Sequence, residues 1–224
     1  MTDRAAKNAL FDEFARVGKA LGSGKRLELL DLLAQAERTV DALAKATDLG
    51  LTTASAHLQA LKRANLVATR KEGTRVYYRL AGTDVAALLA LLRIVANRHL
   101  PDVEAARRAF LGDDSGKDSD AVTSEELLRR VKTGTVTVID VRPREEYAAG
   151  HIAGAINIPL DELPELLDEL PADQEIVAYC RGAYCVLAYD AVRMLRSRGL
   201  NASRLADGML EWHLANHPTE PGSS

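Results

Sequence analysis

Tyr179-Cys180-Arg181-Gly182-Ala183-Tyr184-Cys185-Val186 carries both cysteines of the chain. It lies between a short apolar run, Glu175 to Tyr179, and a segment of helical periodicity from Val186 to Leu195. This order predicts a buried strand, a loop and a helix N-terminus. Unpaired N–H groups at such a helix start point into the loop, the helix dipole favours negative charge, and Gly182 lets the backbone turn. Cys180, beside Arg181, is therefore expected to have a depressed pKa and to react as a thiolate. Cys185 admits two readings, packing where the loop enters the helix or a second thiol able to close on Cys180. Spacing does not decide between them.

Working outward, 224 residues of ordinary apolar and charged content are enough for two modest domains. Charge separates them. Residues 1–111 hold 18 Lys+Arg against 12 Asp+Glu, net +6, whereas 112–224 hold 11 against 20, net −9. One half suits a polyanion such as DNA and the other repels it. With two cysteines and no secretory signal, the chain reads as cytoplasmic, with functional rather than structural thiols. The longest apolar run, Val85 to Leu92, is too short to span a bilayer, so no membrane partner is expected.

Residues 5–36 read as two helices separated by Gly22-Ser23-Gly24. Thr39 is placed to cap a helix from Val40 to Thr47, and Gly50 breaks the chain before a helix from Thr52 to Ala64. Two short helices about a glycine make a helix-turn-helix. The second buries Ala54, Leu58 and Leu61 and leaves Thr52, Thr53, Ser55, His57, Gln59, Lys62 and Arg63 to address bases and phosphates. Strand-like runs Leu66 to Arg70 and Arg75 to Leu80 flank a turn at 71–74, a wing made basic by Arg70, Lys71 and Arg75. The helix from Thr83 to Asn97 is apolar nearly all round, which predicts burial against a second copy of the chain. A further helix is expected over Val103 to Leu111.

Leu49-Gly-Leu-Thr-Thr-Ala-Ser-Ala-His-Leu-Gln-Ala-Leu-Lys-Arg-Ala-Asn-Leu-Val67, followed by Arg70-Lys-Glu-Gly-Thr-Arg-Val-Tyr-Tyr-Arg-Leu80, resembles the ArsR/SmtB winged-helix repressors. The resemblance covers roughly the first hundred residues. It implies a homodimer that leaves double-stranded operator DNA when an inducer binds, with the 52–64 helix in the major groove. Many members bind metals through cysteines before the turn or through Asp, His and Glu on the dimer helix. Residues 1–111 contain no cysteine, and His99, Asp102 and Glu104 lack a paired-ligand spacing, so no metal is expected.

Residues 112–121 are polar and aperiodic and read as a linker, which gives domains at 1–111 and 122–224. Thr123-Ser-Glu-Glu126 is a capping box, with Val122 and Leu127 as a hydrophobic staple, opening a helix to Lys132. Thr135 to Val141 is a β-branched strand run ending in Asp140 and Arg142, expected to support the site from a strand's carboxyl end. His151 reads as a packed, hydrogen-bonded histidine rather than a base. A helix over Leu160 to Leu170 and a short strand near Ser203 to Leu205 complete an alternating parallel α/β pattern.

Asp140-Val-Arg142, Gly150-His-Ile-Ala-Gly-Ala155, Cys180-Arg-Gly-Ala-Tyr-Cys185 and Leu205-Ala-Asp-Gly-Met-Leu-Glu-Trp212, in that order, resemble a single-domain rhodanese over residues 122–218. The resemblance implies that Cys180 takes a sulfane sulfur from a small donor such as thiosulfate or a polysulfide and holds it as a persulfide. The loop N–H groups of Gly182, Ala183, Tyr184 and Val186 would surround it, and Arg181 would attract an anionic donor. Related phosphatase loops are one residue longer, so phosphate-ester chemistry is disfavoured. No cofactor is required. The fold expected is thus a mainly α winged helix-turn-helix followed by an α/β parallel-sheet rhodanese-like domain. The expected function is a transcriptional regulator, acting as a repressor, that couples sulfur state to operator binding through Cys180, with Cys185 as resolving thiol. A second reading is a sulfurtransferase enzyme whose DNA-binding half sets location or dimerisation. A third is an arsenate- or metal-responsive regulator, disfavoured by the missing N-terminal cysteines and the short loop.

Overall fold

The computed structural model describes residues 3–112 and 121–222. The chain divides into two compact units, residues 1–91 and 92–224, with the boundary inside one helix. The linker expected over 112–121 lies, apart from its two end residues, outside the described residues.

The first unit opens with α1 (Arg4–Leu21) and α2 (Gly24–Leu33). β1 (Arg38–Thr39) runs directly into α3 (Val40–Ala46), where Thr39 Oγ1 accepts the Ala42 N–H at 3.3 Å and caps the helix as expected. α4 (Leu51–Arg63) buries Ala54, Leu58 and Leu61, the stripe its spacing dictates. Leu58 and Leu61 join Leu29, Leu30, Leu33 and Leu43 in one core. β2 (Val67–Glu72) and β3 (Arg75–Leu80) pair antiparallel with Glu72 opposite Arg75. The wing turn therefore shrinks to Gly73-Thr74, with Gly73 at φ +57°. β1 adds to the other side of β3, giving the order β1-β3-β2.

α5 (Thr83–His99) and α6 (Asp102–Leu111) follow. α5 buries Val85 and Leu89, but Leu91, Ile94 and Val95 are each at least half exposed. α1 likewise exposes Leu10, Phe11 and Phe14. Among the described residues no helix is long and apolar enough to cross a membrane.

In the second unit α7 (Ser124–Thr133) is capped by Thr123, whose Oγ1 accepts the Glu126 N–H at 3.2 Å, and is ended by Gly134 at φ +66°. Then come β4 (Val136–Asp140), α8 (Arg144–Ala149), β5 (His151–Ile152), β6 (Ile156–Asn157), α9 (Leu163–Leu166), β7 (Glu175–Tyr179), α10 (Val186–Ser197), β8 (Ala202–Arg204), α11 (Met209–Leu214) and β9 (Thr219–Glu220). Four strands form a parallel sheet in the order β6-β4-β7-β8, and β5 pairs with β9 separately. The central β7 alternates between two cores: Ile176 and Ala178 pack with Ile139, Leu163 and Leu195, while Val177 and Tyr179 pack with Leu127, Val138 and Trp212.

The single helix expected over 160–170 is instead the four-residue α9 followed by a 3₁₀ turn at Leu167–Glu169. Pro171 explains the early stop, since the residue before a proline avoids the helical region and Leu170 is extended at ψ 143°.

Candidate active-site loop and nucleic-acid interface

Strand β7 delivers Cys180 to the carboxyl edge of the sheet, and Cys185 occupies the N-cap position of α10. Between them the loop closes on itself through the Cys185 N–H, which donates to the Gly182 carbonyl at 3.0 Å. The two sulfurs are close enough that each shifts the pKa of the other. The Cys180 thiol also lies 3.3 Å from the carbonyl oxygen of Cys185. Backbone N–H groups of Gly182 and Ala188 reach the Cys180 sulfur, and those of Arg181 and Leu187 reach Cys185. Loop and helix start thus solvate two sulfurs rather than one.

The lowering expected at the Cys180 thiol is opposed by its burial, and a lowering acts on the Cys185 thiol beside it. Cys180 is only 2% exposed; burial pushes its thiol well up, and the Cys185 sulfur beside it adds to the rise. Cys185 is only partly buried and is pulled down to about 7. The hydrogen bond from Cys180 contributes most, and the Arg181 and Leu187 N–H groups and the Arg181 charge add to it against the cost of burial. Alkylation of Cys185 by iodoacetamide should therefore rise about tenfold per pH unit below neutrality, because only the thiolate reacts, and level off above its pKa of about 7. A midpoint near the ordinary thiol value of 9.0 would overturn the assignment.

Arg181 is held by a residue the sequence reading left out of the site. Its guanidinium donates to both oxygens of Glu146 at 2.7–3.0 Å, and Glu146, on α8, is fully buried. Much of the positive charge expected to attract a donor is thereby compensated, while the remainder acts on Cys185.

Asp140 and Arg142, both fully buried, form a bidentate pair with a closest approach of 2.7 Å. Arg142 Nη2 also donates to the Gly150 carbonyl at 2.8 Å, and the Tyr179 hydroxyl donates to Asp140 Oδ2 at 2.6 Å. Burial together with the Asp140 charge raises the Tyr179 phenol far above its usual range. These groups brace the ends of β4 and β7 beneath the loop. His151 is packed, its ring stacked on Tyr147 at 3.7 Å and its Nδ1 3.1 Å from the Tyr147 carbonyl.

The loop's outer wall is the 207–212 segment. The N–H groups of Met209 and Leu210 donate to the Cys180 and Arg181 carbonyls at 3.0 and 3.2 Å. Gly208 packs so closely that a Cβ there would sit 2.2 Å from the Gly182 nitrogen, which only glycine avoids.

In the first unit, Thr52 and Thr53 are exposed at the N-terminus of α4, while Ser55 and His57 are partly buried. Gln59 Nε2 donates to the Tyr78 hydroxyl at 3.2 Å, and Lys62 Nζ donates to Thr69 Oγ1 at 3.0 Å, so both are steadied by the wing strands. Arg63 is exposed beside them, as are Lys71 and Arg75 near the wing turn. Arg70 differs from these. It pairs with Glu37 and, at 2.6 Å, with Glu72, and it stacks over Tyr77. Hydrogen bonding to Glu37, then to Glu72, raises its pKa, and the Glu37 carboxyl is lowered in return.

Residues 23–69 match the family of bacterial regulatory proteins of the arsR family, and residues 123–215 match the rhodanese-like domain. The HTH-type transcriptional regulator Rv0324 of Mycobacterium tuberculosis is 59% identical over 217 residues, covering 97% of this chain and 94% of that protein. The chain belongs to the ArsR-family regulators that carry a rhodanese-like domain.

A sulfurtransferase of Allochromatium vinosum is 31% identical over 93 residues, covering 41% of the chain and 85% of that protein. The solution NMR structure of the homodimeric winged helix-turn-helix DNA-binding domain of Mb0332 from Mycobacterium bovis is 62% identical, covers 45% of the chain and 91% of that structure, and has a TM-score of 0.42. This rhodanese-fused ArsR regulator is thus a DNA-binding transcriptional regulator with its candidate chemistry in the second unit.

Proposed function

We propose that the loop thiols of this regulator accept sulfane sulfur from a small persulfide, polysulfide or thiosulfate donor, and that the modified state binds operator DNA less tightly. The observation that carries this reading is the pair of neighbouring cysteines at the mouth between β7 and α10, Cys180 at the carboxyl edge of the sheet and Cys185 at the helix N-cap, with the Cys180 thiol 3.3 Å from the Cys185 carbonyl. A sulfur-accepting thiol needs backbone N–H donors, because they stabilise the anion formed at each transfer step. The likeness of the second unit to a sulfurtransferase supports the same chemistry.

DNA is engaged by Thr52, Thr53, Ser55, His57, Gln59, Lys62 and Arg63 on α4 and by Lys71 and Arg75 on the wing. Arg70 serves chiefly to hold the wing to Glu37. The active form is a homodimer that covers the exposed Leu91, Ile94 and Val95 of α5, since apolar side chains so exposed favour burial against a second copy. Coupling requires that the two sulfur states differ in DNA affinity.

The test is fluorescence anisotropy at fixed salt on DNA from upstream of the protein's own gene, with and without an organic polysulfide. Polysulfide should weaken wild-type binding about tenfold, which is about 1.4 kcal/mol, and leave the double variant Cys180→Ser, Cys185→Ser unchanged. Lys71→Ala serves as the control for DNA contact: it should weaken both sulfur states alike and reduce the salt slope by about one. Equal wild-type binding with and without polysulfide, together with sustained transfer of sulfur to a thiol acceptor, would instead identify an enzyme carried on a DNA-binding dimer.

A further inference from the structure

Resting on the reading that this loop takes sulfane sulfur, we propose that Arg93 of α5 is the residue that holds the anionic end of the donor, and that the donor is a small dianion of the thiosulfate kind. The sequence suggests Arg181 for that role. Arg93 lies outside both matched segments and comes to the loop from a different part of the chain.

The last two turns of α5 belong to the second unit, which begins at Leu92. Arg93 Nη1 lies 3.5 Å from the point where a side chain on Gly182 would begin, and the Cys180 sulfur lies 3.9 Å from the Gly182 carbonyl oxygen. Guanidinium and thiol thus approach the same loop residue. Tyr184 ties the helix to the loop: its hydroxyl accepts a hydrogen bond from Asn97 Nδ2, and its ring centre lies 6.0 Å from the Arg93 guanidinium carbon. With Leu92, Ala96, Val103, Ala106 and Phe110 it also lines a cavity of about 270 Å³, so α5 and α6 are seated against the loop.

Charge decides which arginine serves. Residues 112–224 hold 11 Lys+Arg against 20 Asp+Glu, so a dianion needs a local cation to approach this unit. Arg181 is committed to both oxygens of the fully buried Glu146 at 2.7–3.0 Å. Arg93 faces Glu211 across 3.9 Å, a separation too long for a hydrogen bond, and the two side chains keep 20% and 27% of their surface exposed. An incoming anion can therefore draw Arg93 to itself without stranding a sealed carboxylate.

The step served is a balanced transfer. The Cys180 thiolate attacks the outer sulfur of thiosulfate; a new S–S bond forms, the S–S bond of thiosulfate breaks, and sulfite leaves with the electron pair. A thiol acceptor R–SH then takes the outer sulfur as R–S–SH, and Cys180 returns to the thiolate. Arg93 holds the oxyanion end in the bound donor and in the departing sulfite alike, so its loss raises KM more than it lowers kcat.

The experiment follows sulfite release as the reduced full-length protein transfers sulfur from thiosulfate to glutathione. Arg93→Ala should raise KM for thiosulfate about tenfold, the worth of one charge-assisted hydrogen bond, with kcat within about twofold of wild type. Arg93→Lys should recover most of that loss, because the point charge is kept. Glu211→Gln should lower KM about twofold: it removes the competing carboxylate but keeps an oxygen for the Gly208 N–H, which Glu211 now accepts at 3.1 Å. A purely structural Arg93–Glu211 pair would instead make both variants worse. The lysine and glutamine variants are close in size to the native residues, so the test stands even where Arg93→Ala does not fold. An unchanged KM in Arg93→Ala, no recovery with lysine, or a KM raised by Glu211→Gln overturns the role of Arg93. So does a wild type that takes sulfur from glutathione persulfide but not from thiosulfate, and in each of these cases sulfur acceptance stands. A wild type that takes sulfur from neither donor overturns both readings.

Discussion

Replacing Arg142 by alanine is expected to destabilise the second unit by about 3–5 kcal/mol, because it strands the fully buried carboxylate of Asp140 without its counter-charge. Urea denaturation followed by the fluorescence of Trp212, the chain's one tryptophan and itself 1% exposed, reports on this unit directly. Removing both partners should not restore stability, although buried ion pairs can often be replaced by apolar residues at little cost. Here the Gly150 carbonyl would lose its Arg142 donor and the Tyr179 hydroxyl would lose its Asp140 acceptor, each at about 1–3 kcal/mol if left unsatisfied. A loss below about 1 kcal/mol for Arg142→Ala would show that the carboxylate finds water or another donor, and that the network does not brace the loop.

The second large effect is an asymmetry. Arg181→Ala should cost about 3–5 kcal/mol, because it removes the bidentate guanidinium partner of the fully buried Glu146, whereas Glu146→Ala should cost about 1 kcal/mol. Arg181 keeps 23% of its side chain exposed, so its guanidinium can turn to water when the carboxylate is gone. The same urea transitions measure both. Equal losses would mean that Arg181 is as sealed as its partner. Arg181→Ala should also slow alkylation of Cys185 at neutral pH by removing a charge that favours the thiolate, a readout that a purely structural role would not move.

Where a signal is local, the sequence carried it. Thr39 and Thr123 cap the helices their neighbours predict, the Ala54, Leu58 and Leu61 stripe is buried, and a strand and a helix bracket the two cysteines. What escaped was set by tertiary neighbours. The two-residue strand β1 has too little chain to show a period, yet its pairing to β3 follows directly on Glu37, which meets Arg70. Glu146 meets Arg181 from 35 positions away. Around the thiols, local residues report charge and backbone donors but not enclosure: burial acts against the N–H groups at the Cys180 sulfur, and a lowering acts on the more open Cys185.

The contact of Gly208 with Gly182 makes the 207–212 segment a gauge for whatever the loop admits. With two loop carbonyls tied to the first N–H groups of α11 and no side chain at position 208 to yield, the loop cannot widen without pushing that helix away. Widening of the loop is therefore resisted from outside it, by the packing of a neighbouring helix. The width of the loop is set by the fit of α11 as much as by the residues from Cys180 to Cys185 themselves.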